Sequence, residues 1–341
     1  MSGFADSGTS ADDAITGVSS IAYGFMGSQA LFAALELGLF TALADGPTEA
    51  AALAGRIGAR PEPFEALLAA CVALGLIECT GEGYRNTPAA QRYLVRHARG
   101  YIGDYYLRQI GETLYAQIPV ARAVLRGEIS PTTYSQFLDD PARTEEFIRG
   151  QHAGSSGPAH LFAKNIDLSP FRSLLDLGGG SGAFSIAAAL RNERLSAIVF
   201  DHAKVIAVAE QIIREAGLAD RIRCMAGDVL TDAWPPGADL VLMSYVVSSY
   251  RSETLRELLG KIRNYLPSGG GLFIHDFALH HDRPGPRNAA LWSFANLAIS
   301  ATTHPYTIAE ITQALTDCGF VDVIARPHVP GITFLFTARQ G

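Results

Sequence analysis

Residues 174–182, Leu-Leu-Asp-Leu-Gly-Gly-Gly-Ser-Gly, have the residue types and spacing that could hold a nucleoside. A short apolar run ends in an acid and a glycine cluster, and a helical pattern follows at once. Strand, tight turn, helix is the order that lays bare backbone against a ligand. Nineteen residues past Gly182, a second apolar run over 197–200 ends in Asp201. An acid there can accept hydrogen bonds from both ribose hydroxyls of a nucleoside. The chemistry expected of this constellation is nucleoside-cofactor binding.

Gly178, Gly180 and Ala183 also satisfy the dinucleotide fingerprint G-x-G-x-x-A. Three features oppose a pyrophosphate. Asp176 sits two residues before the first glycine, so its carboxylate faces the turn, where it repels an anion and welcomes an ammonium. No second mononucleotide half follows. Gly227-Asp228-Val229 closes a third apolar run, setting an acid and an apolar residue where an adenine ring would lie.

The elements that must position these residues alternate regularly. Strands are expected at 173–177, 197–201, 222–226, 240–244 and 271–277, with helices between them, notably 203–216 and 252–266. An irregular Pro/Gly/His stretch, 280–286, leads to a helix near 289–299 and another at 308–318. Two last runs, 321–325 and 332–337, read as a hairpin at the sheet edge. Strand-helix units ending in a hairpin predict an α/β, doubly wound, Rossmann-like sheet of seven strands with one reversed.

Upstream, residues 13–43 read as an amphipathic helix, followed by short helices from about 48 and over 62–74. Two short runs flanking Gly81-Glu82-Gly83 read as a hairpin. Helix, turn, helix, hairpin is a winged-helix arrangement. Its second helix, Pro-Glu-Pro-Phe-Glu-Ala-Leu-Leu over 61–68, lacks the Arg, Asn or Gln of a base-reading helix, so dimerisation is expected rather than DNA binding. The expected divisions are a disordered start (1–13), a winged-helix dimerisation domain (14–98), an aromatic-rich helical linker (99–165) and a cofactor-binding domain (166–341).

Residues 174–182, Asp201, Gly227-Asp228 and Leu266-Pro267-Ser268-Gly269-Gly270 resemble the class I S-adenosylmethionine methyltransferases. The winged helix and helical linker narrow the resemblance to the dimeric small-molecule O-methyltransferase family of plants and bacteria, and it covers the chain from about Ile21. It implies S-adenosyl-L-methionine as cofactor, S-adenosyl-L-homocysteine as product and a small-molecule acceptor. It also implies that Gly178 and Gly180 make room for the methionine part, Asp201 takes the ribose, and Asp228 with Val229 contacts adenine. Ser155, in the segment before the first strand, would contact the cofactor carboxylate. Asp176, His202 and Ser244 complete the expected cofactor set.

The family pattern breaks after the fourth strand. O-methylating relatives carry a His-Asp pair there, and the His removes the acceptor's proton. Here the stretch reads Ser-Tyr-Val-Val-Ser-Ser-Tyr over 244–250, with Ser248 in the histidine's place. A serine hydroxyl is a poor base near neutral pH. Other candidates to take the proton are Asp276, which matches the acid that orients the base in relatives, and His275, His152 and His304. Positioning alone is a further option, since proximity can supply about 7–11 kcal/mol of a barrier. O-methylation leads. C-methylation, or a non-methylating cyclase or decarboxylase that keeps the cofactor site, stays open. Tyr105, Tyr106, Phe162, Tyr245, Trp292 and Asn296 are the pocket candidates, with Tyr23, Phe25 and Phe294 behind them; apolar walls with few polar groups suit a planar aromatic or polyketide-like acceptor. His275 and Asp276 are strand neighbours pointing to opposite faces, and His280-His281-Asp282 lies in a loop, so no metal is expected.

Bulk properties agree with this assignment. The net charge of −7 opposes binding to nucleic acid or an anionic membrane. Four scattered cysteines without a CxxC pair suit a reducing, cytoplasmic setting, and the family resemblance implies a role in specialised metabolism. The apolar stretches carry polar breaks, so no membrane span is expected. Lysine is scarce, with Lys164, Lys204 and Lys261 the three among 27 basic residues.

Overall fold

The computed structural model describes residues 11–129, 138, 140–282, 285–298, 300 and 302–341. The expectations for residues 1–10, for residues 130–137 and 139 of the linker, and for the helix end at residue 299 fall outside them. The chain forms two compact units, one ending at Leu107 and one spanning Arg108–Gly341.

In the first unit, the expected single helix is two: α1 (Ala11–Glu36) and α2 (Leu39–Ala42). The break falls at Gly38, whose φ of 73° is left-handed backbone that a helix interior excludes. Then come α3 (Ala50–Ile57), α4 (Pro61–Ala73), a hairpin of β1 (Ile77–Thr80) and β2 (Gly83–Asn86), and α5 (Pro88–Tyr93). Gly83 is required at the turn. Its φ is 112°, and a Cβ there would stand 2.5 Å from the Thr48 backbone. Against the expectation of broken apolar stretches, residues 15–36 are long and apolar enough to cross a membrane by length and composition. Val18, Ile21, Tyr23, Phe25 and Met26 of α1 are exposed within the chain.

A π-helical stretch, Tyr105–Tyr115, leads across the boundary into α6 (Ala116–Leu125). The next described helix, α7 (Pro141–Asn165), lay within the expected linker but is part of the second unit. Its Arg149 pairs at 2.8 Å with Glu215 in α9 (Ala203–Glu215).

The seven-stranded sheet contains β3 (Ser173–Leu177), β4 (Ser196–Asp201), β5 (Ile222–Ala226), β6 (Leu240–Ser244), β7 (Gly271–Asp276), β8 (Phe320–Pro327) and β9 (Phe334–Gln340). The strand order is 5-4-3-6-7-9-8, with β9 antiparallel to both neighbours and the first five mutually parallel. Alternate side chains feed two cores, as a sheet covered on both faces requires. Leu175, Leu177, Val241, Met243, Leu272 and Ile274 meet α10 (Ser252–Tyr265) and α12 (Ile308–Asp317). Leu174, Leu240, Leu242 and Phe273 meet α7, α8 (Ala183–Arg191) and α9. The remaining helix, α11 (Arg287–Asn296), precedes α12, whose first turn is closed by a capping box between Thr307 and Glu310. At the sheet edge, β8 carries a bulge between Val321 and Ile324, with Asp322 at φ 52°.

Candidate active site

The glycine turn closes where β3 meets α8. Gly178, Gly180 and Gly182 have φ of 65°, 55° and 75°. The Gly178 N–H donates to the Phe200 carbonyl at 2.8 Å, tying the turn to β4. A Cβ on Gly178 would lie 2.7 Å from Val246, and one on Gly179 would lie 2.8 Å from the Asp176 carboxyl carbon. At Gly180 the same position faces open space. The turn thus packs tightly at Gly178 and Gly179 and leaves Gly180 bare, which fits the close approach of a ligand.

Two acids flank it. Asp201, at the end of β4, accepts from the N–H groups of Gly180 at 2.8 Å and His202 at 2.7 Å. Burial raises its pKa, and those two donors oppose the rise. Asp176 lies beneath the turn, 1% exposed, with Oδ2 accepting from the Ser185 hydroxyl at 2.7 Å. Its Oδ1 is buried without a hydrogen-bond partner among the described residues. Burial, reinforced by Asp201, pushes its pKa up to about 7 while Ser185 holds it down. A buried carboxyl with one unmatched oxygen suits a cationic ligand group, so these residues fit a sulfonium nucleoside bearing an amino group.

His152 on α7 reaches the same turn, with Nδ1 3.0 Å from the Ser181 hydroxyl. Burial lowers its pKa. Its place is therefore beside the cofactor turn. Ser155, half-buried, lies three residues on, along the same helix face. Beyond β5, Asp228 closes its own turn, its Oδ1 accepting from Leu230 and Thr231 at 2.8 and 3.1 Å. Burial acts against its ionisation, but these backbone donors outweigh it and its pKa is lowered. Val229 is mostly core, 8% exposed, which limits the adenine contact expected of it. His202 is exposed at the N-cap of α9. Ser244 spends its hydroxyl on His275 Nδ1 at 2.9 Å.

Past the end of β6, Tyr245 has φ 60°, a left-handed conformation that a non-glycine residue keeps only when its surroundings enforce it. Its N–H donates to the His275 carbonyl at 2.8 Å, and its ring meets His275 at 4.6 Å and Phe277 at 5.2 Å. Trp292 of α11 stacks on Phe277 at 5.2 Å and 22°. Asn296, half-buried, follows one helical turn later. The result is an aromatic wall of Tyr245, Phe277 and Trp292. Phe277 was missed from sequence because its position beyond Asp276 marks only a strand end.

Several expectations are corrected. Phe162 is fully buried against Phe184 and Phe273, so it is core and not pocket. His275 is fully buried, with Nε2 2.8 Å from the Thr333 hydroxyl and Nδ1 taken by Ser244, so it has no free nitrogen for a proton. Burial, helped by nearby His328, drives its pKa well below the histidine norm. Asp276 is also fully buried, accepting from the N–H groups of Ser248 at 3.0 Å and Phe277 at 2.8 Å. Burial lifts its pKa to about 6 against those donors. With no exposed surface it braces the Val247–Ser249 turn rather than touching an acceptor, and Ser248 itself is 8% exposed.

His304 comes to that turn from a different segment. Its N–H donates to the Ser248 carbonyl at 3.1 Å, the Thr303 hydroxyl donates to the same oxygen at 3.0 Å, and the Thr302 hydroxyl donates to Ser249 at 2.6 Å. Its half-buried ring packs on Tyr306. Tyr105 and Tyr106 belong to the first unit, their ring centroids 5.5 Å apart. Phe294 is exposed on α11. His281 and Asp282 are exposed, and His280 lies against Phe334.

A nucleoside cradle at the carboxyl edge of a parallel sheet that ends in a reversed strand defines a class I methyltransferase. Comparison with known proteins carries this further. The O-methyltransferase domain family matches residues 113–321, and the O-methyltransferase dimerisation domain family matches residues 19–96. A 3-hydroxy-5-methyl-1-naphthoate 3-O-methyltransferase from Streptomyces sahachiroi is 35% identical over 319 residues, covering 92% of each chain. The N,N-dimethyltransferase OxyT of Streptomyces rimosus is 35% identical over 256 residues, 73% of this chain and 74% of that one. The crystal structure of human N-acetylserotonin methyltransferase in complex with S-adenosylmethionine superposes with a TM-score of 0.87 at 27% identity, covering 98% of this chain and 99% of the other. The chain belongs to the O-methyltransferase family and is an S-adenosylmethionine-dependent enzyme.

Proposed function

We propose that the protein methylates a hydroxyl on a small, flat aromatic or enolic acceptor in specialised metabolism, as a cytoplasmic homodimer. The observation that carries this reading is the wall of Tyr245, Phe277 and Trp292 past the carboxyl ends of β6 and β7, on the same edge of the sheet as the glycine turn and Asp201. Stacked rings bind a planar molecule through its faces and orient its edge. The cofactor, when bound, supplies an electrophilic methyl group. Gly178 and Gly180 open the backbone to it, Asp201 receives the ribose hydroxyls, Asp228 faces the base, and Asp176 with Ser155 and His152 surrounds the amino-acid end. Tyr245 and Trp292 hold the acceptor for in-line attack, with Asn296 as a polar contact. His304, whose backbone N–H is held by the Ser248 carbonyl where relatives keep their base, is the candidate to receive the proton. The exposed apolar side of α1, within a dimerisation domain, is the surface a second copy would cover.

A second reading follows from Ser248. An amine needs no strong base to become nucleophilic, and one relative is named as an N,N-dimethyltransferase. With a carbon acceptor the proton leaves in a different geometry, so the Ser248 position need not hold the base. Incubation of the protein with deuterium-methyl S-adenosylmethionine and a metabolite extract, followed by mass spectrometry, separates these readings. Label on oxygen supports the proposal, and label on nitrogen or carbon replaces it with the second. Absence of label under tight S-adenosylhomocysteine binding would turn the reading to a non-methylating activity.

A further inference from the structure

We propose that Lys261 is a positioning residue for cofactor binding, its ammonium clamping the turn that presents Asp228 to the nucleoside base. This rests on the reading of Asp228 as a cofactor contact and adds a residue that touches no ligand.

Lys261 lies on α10, behind the turn that follows β5. Its Nζ donates to three backbone carbonyls, Val229 at 3.1 Å, Leu230 at 3.2 Å and Asp232 at 2.8 Å. It also stands 4.1 Å from the centre of the Trp234 ring. The indole N–H donates to the Val229 carbonyl at 3.2 Å, so one oxygen serves both groups. Within the turn, the Asp228 N–H donates to the Asp232 carboxylate at 2.8 Å and the Asp232 N–H to the Asp228 carbonyl at 3.0 Å. One helical turn on, the Tyr265 hydroxyl donates to Pro235 at 2.6 Å and accepts from Ala238 at 3.2 Å. A single face of α10 therefore pins the chain from Val229 to Ala238.

The residue type is the telling part. Three carbonyl oxygens converging on one point demand three donors from one atom. An ammonium has them; a planar guanidinium spreads its donors over a fork and cannot converge. This chain otherwise prefers arginine, with 3 lysines among 27 basic residues, and it keeps a lysine here. The aromatic face completes the ammonium's surroundings. Burial lowers the Lys261 pKa, while Asp228 and Asp232 act to raise it.

The test is the affinity for S-adenosylhomocysteine and for 5′-methylthioadenosine, which has the nucleoside without the amino acid, by titration calorimetry. Lys261→Met keeps the stem and removes the donors, and is expected to weaken both ligands about tenfold. Lys261→Arg should weaken both about threefold despite its charge. Trp234→Phe, which loses only the indole donor, should weaken both two- to threefold and keeps the proposal testable if Lys261→Met fails to fold. A merely structural role would lower the melting temperature and leave the folded protein's affinities alone. Wild-type affinity for both ligands in Lys261→Met and Lys261→Arg overturns the clamp. Unchanged affinity in Asp228→Ala removes the reading on which the clamp rests, and the proposal with it. Weakening in Asp228→Ala with wild-type affinity in the Lys261 variants overturns the clamp alone.

Discussion

The carboxylate of Asp201 is the place to test the cofactor cradle. Each of its oxygens takes one backbone N–H, from Gly180 and His202. Ribose hydroxyls would use the remaining lone pairs. A hydrogen bond to a charged group contributes about 1.5–3 kcal/mol. Asp201→Ala removes the ribose acceptor and strands two turn donors, so binding should weaken by about 3 kcal/mol, or roughly 150-fold. Asp201→Asn keeps the shape but offers one acceptor, leaving one N–H facing an amide donor. Its loss should be about 2 kcal/mol, roughly 30-fold. Fold stability should behave differently. Burial already disfavours the charge on Asp201, so replacing it with a neutral amide should leave ligand-free stability within about 1 kcal/mol of wild type. Calorimetric titration with S-adenosylhomocysteine reads the first quantity and urea unfolding the second. An affinity within threefold of wild type in both variants would refute the assignment, however intact the fold.

Three further outcomes follow from other parts of the molecule. His275→Ala would open a cavity, orphan the Ser244 hydroxyl and leave the Thr333 hydroxyl with the Val329 N–H alone, costing about 3 kcal/mol in urea unfolding; a cost below about 1 would show the brace to be slack. Asp176 has a folded pKa near 7, above its unfolded value, so the stability it contributes is full at about pH 4 and is lost as pH rises toward 7. Asp176→Asn lacks this loss and should gain on the wild type across that window by on the order of 3 kcal/mol in thermal unfolding, and a flat difference would contradict the buried acid. Sedimentation equilibrium should find a pair of 36.3 kDa chains, with Ile21→Arg plus Met26→Arg shifting the mass to one; a monomeric wild type would remove α1 as an interface.

Strands β3, β5 and β6 fall on the residues expected from sequence because each is an apolar run closed by glycine or a polar residue, a strictly local signal. The glycine turn, Asp176 and Asp201 were legible for the same reason, lying within one strand-turn-helix unit and the strand beside it. The aromatic wall was not. It joins Tyr245, Phe277 and Trp292 from three separate segments, and nothing local distinguishes these from Phe162, an aromatic on a helix face that turned out to point into the core. Asp276 was found by position, but its burial beneath the Val247–Ser249 turn depends on how β7 and that turn pack. The break at Gly38 shows the opposite limit, where one left-handed residue outweighs a long apolar pattern.

The bulge in β8 bears on how this protein tolerates crowding. An edge strand with a continuous row of free backbone groups is a template on which another sheet can grow. Between Val321 and Ile324 that row is interrupted, Asp322 sits in a left-handed conformation, and the strand ends at Arg326 and Pro327. A strand approaching this rim would meet a kink, a charge at either side and a missing donor. Concentrated solutions should therefore resist fibril formation along this rim, and flattening it by deleting the extra residues would expose a hazard that the folded enzyme now avoids.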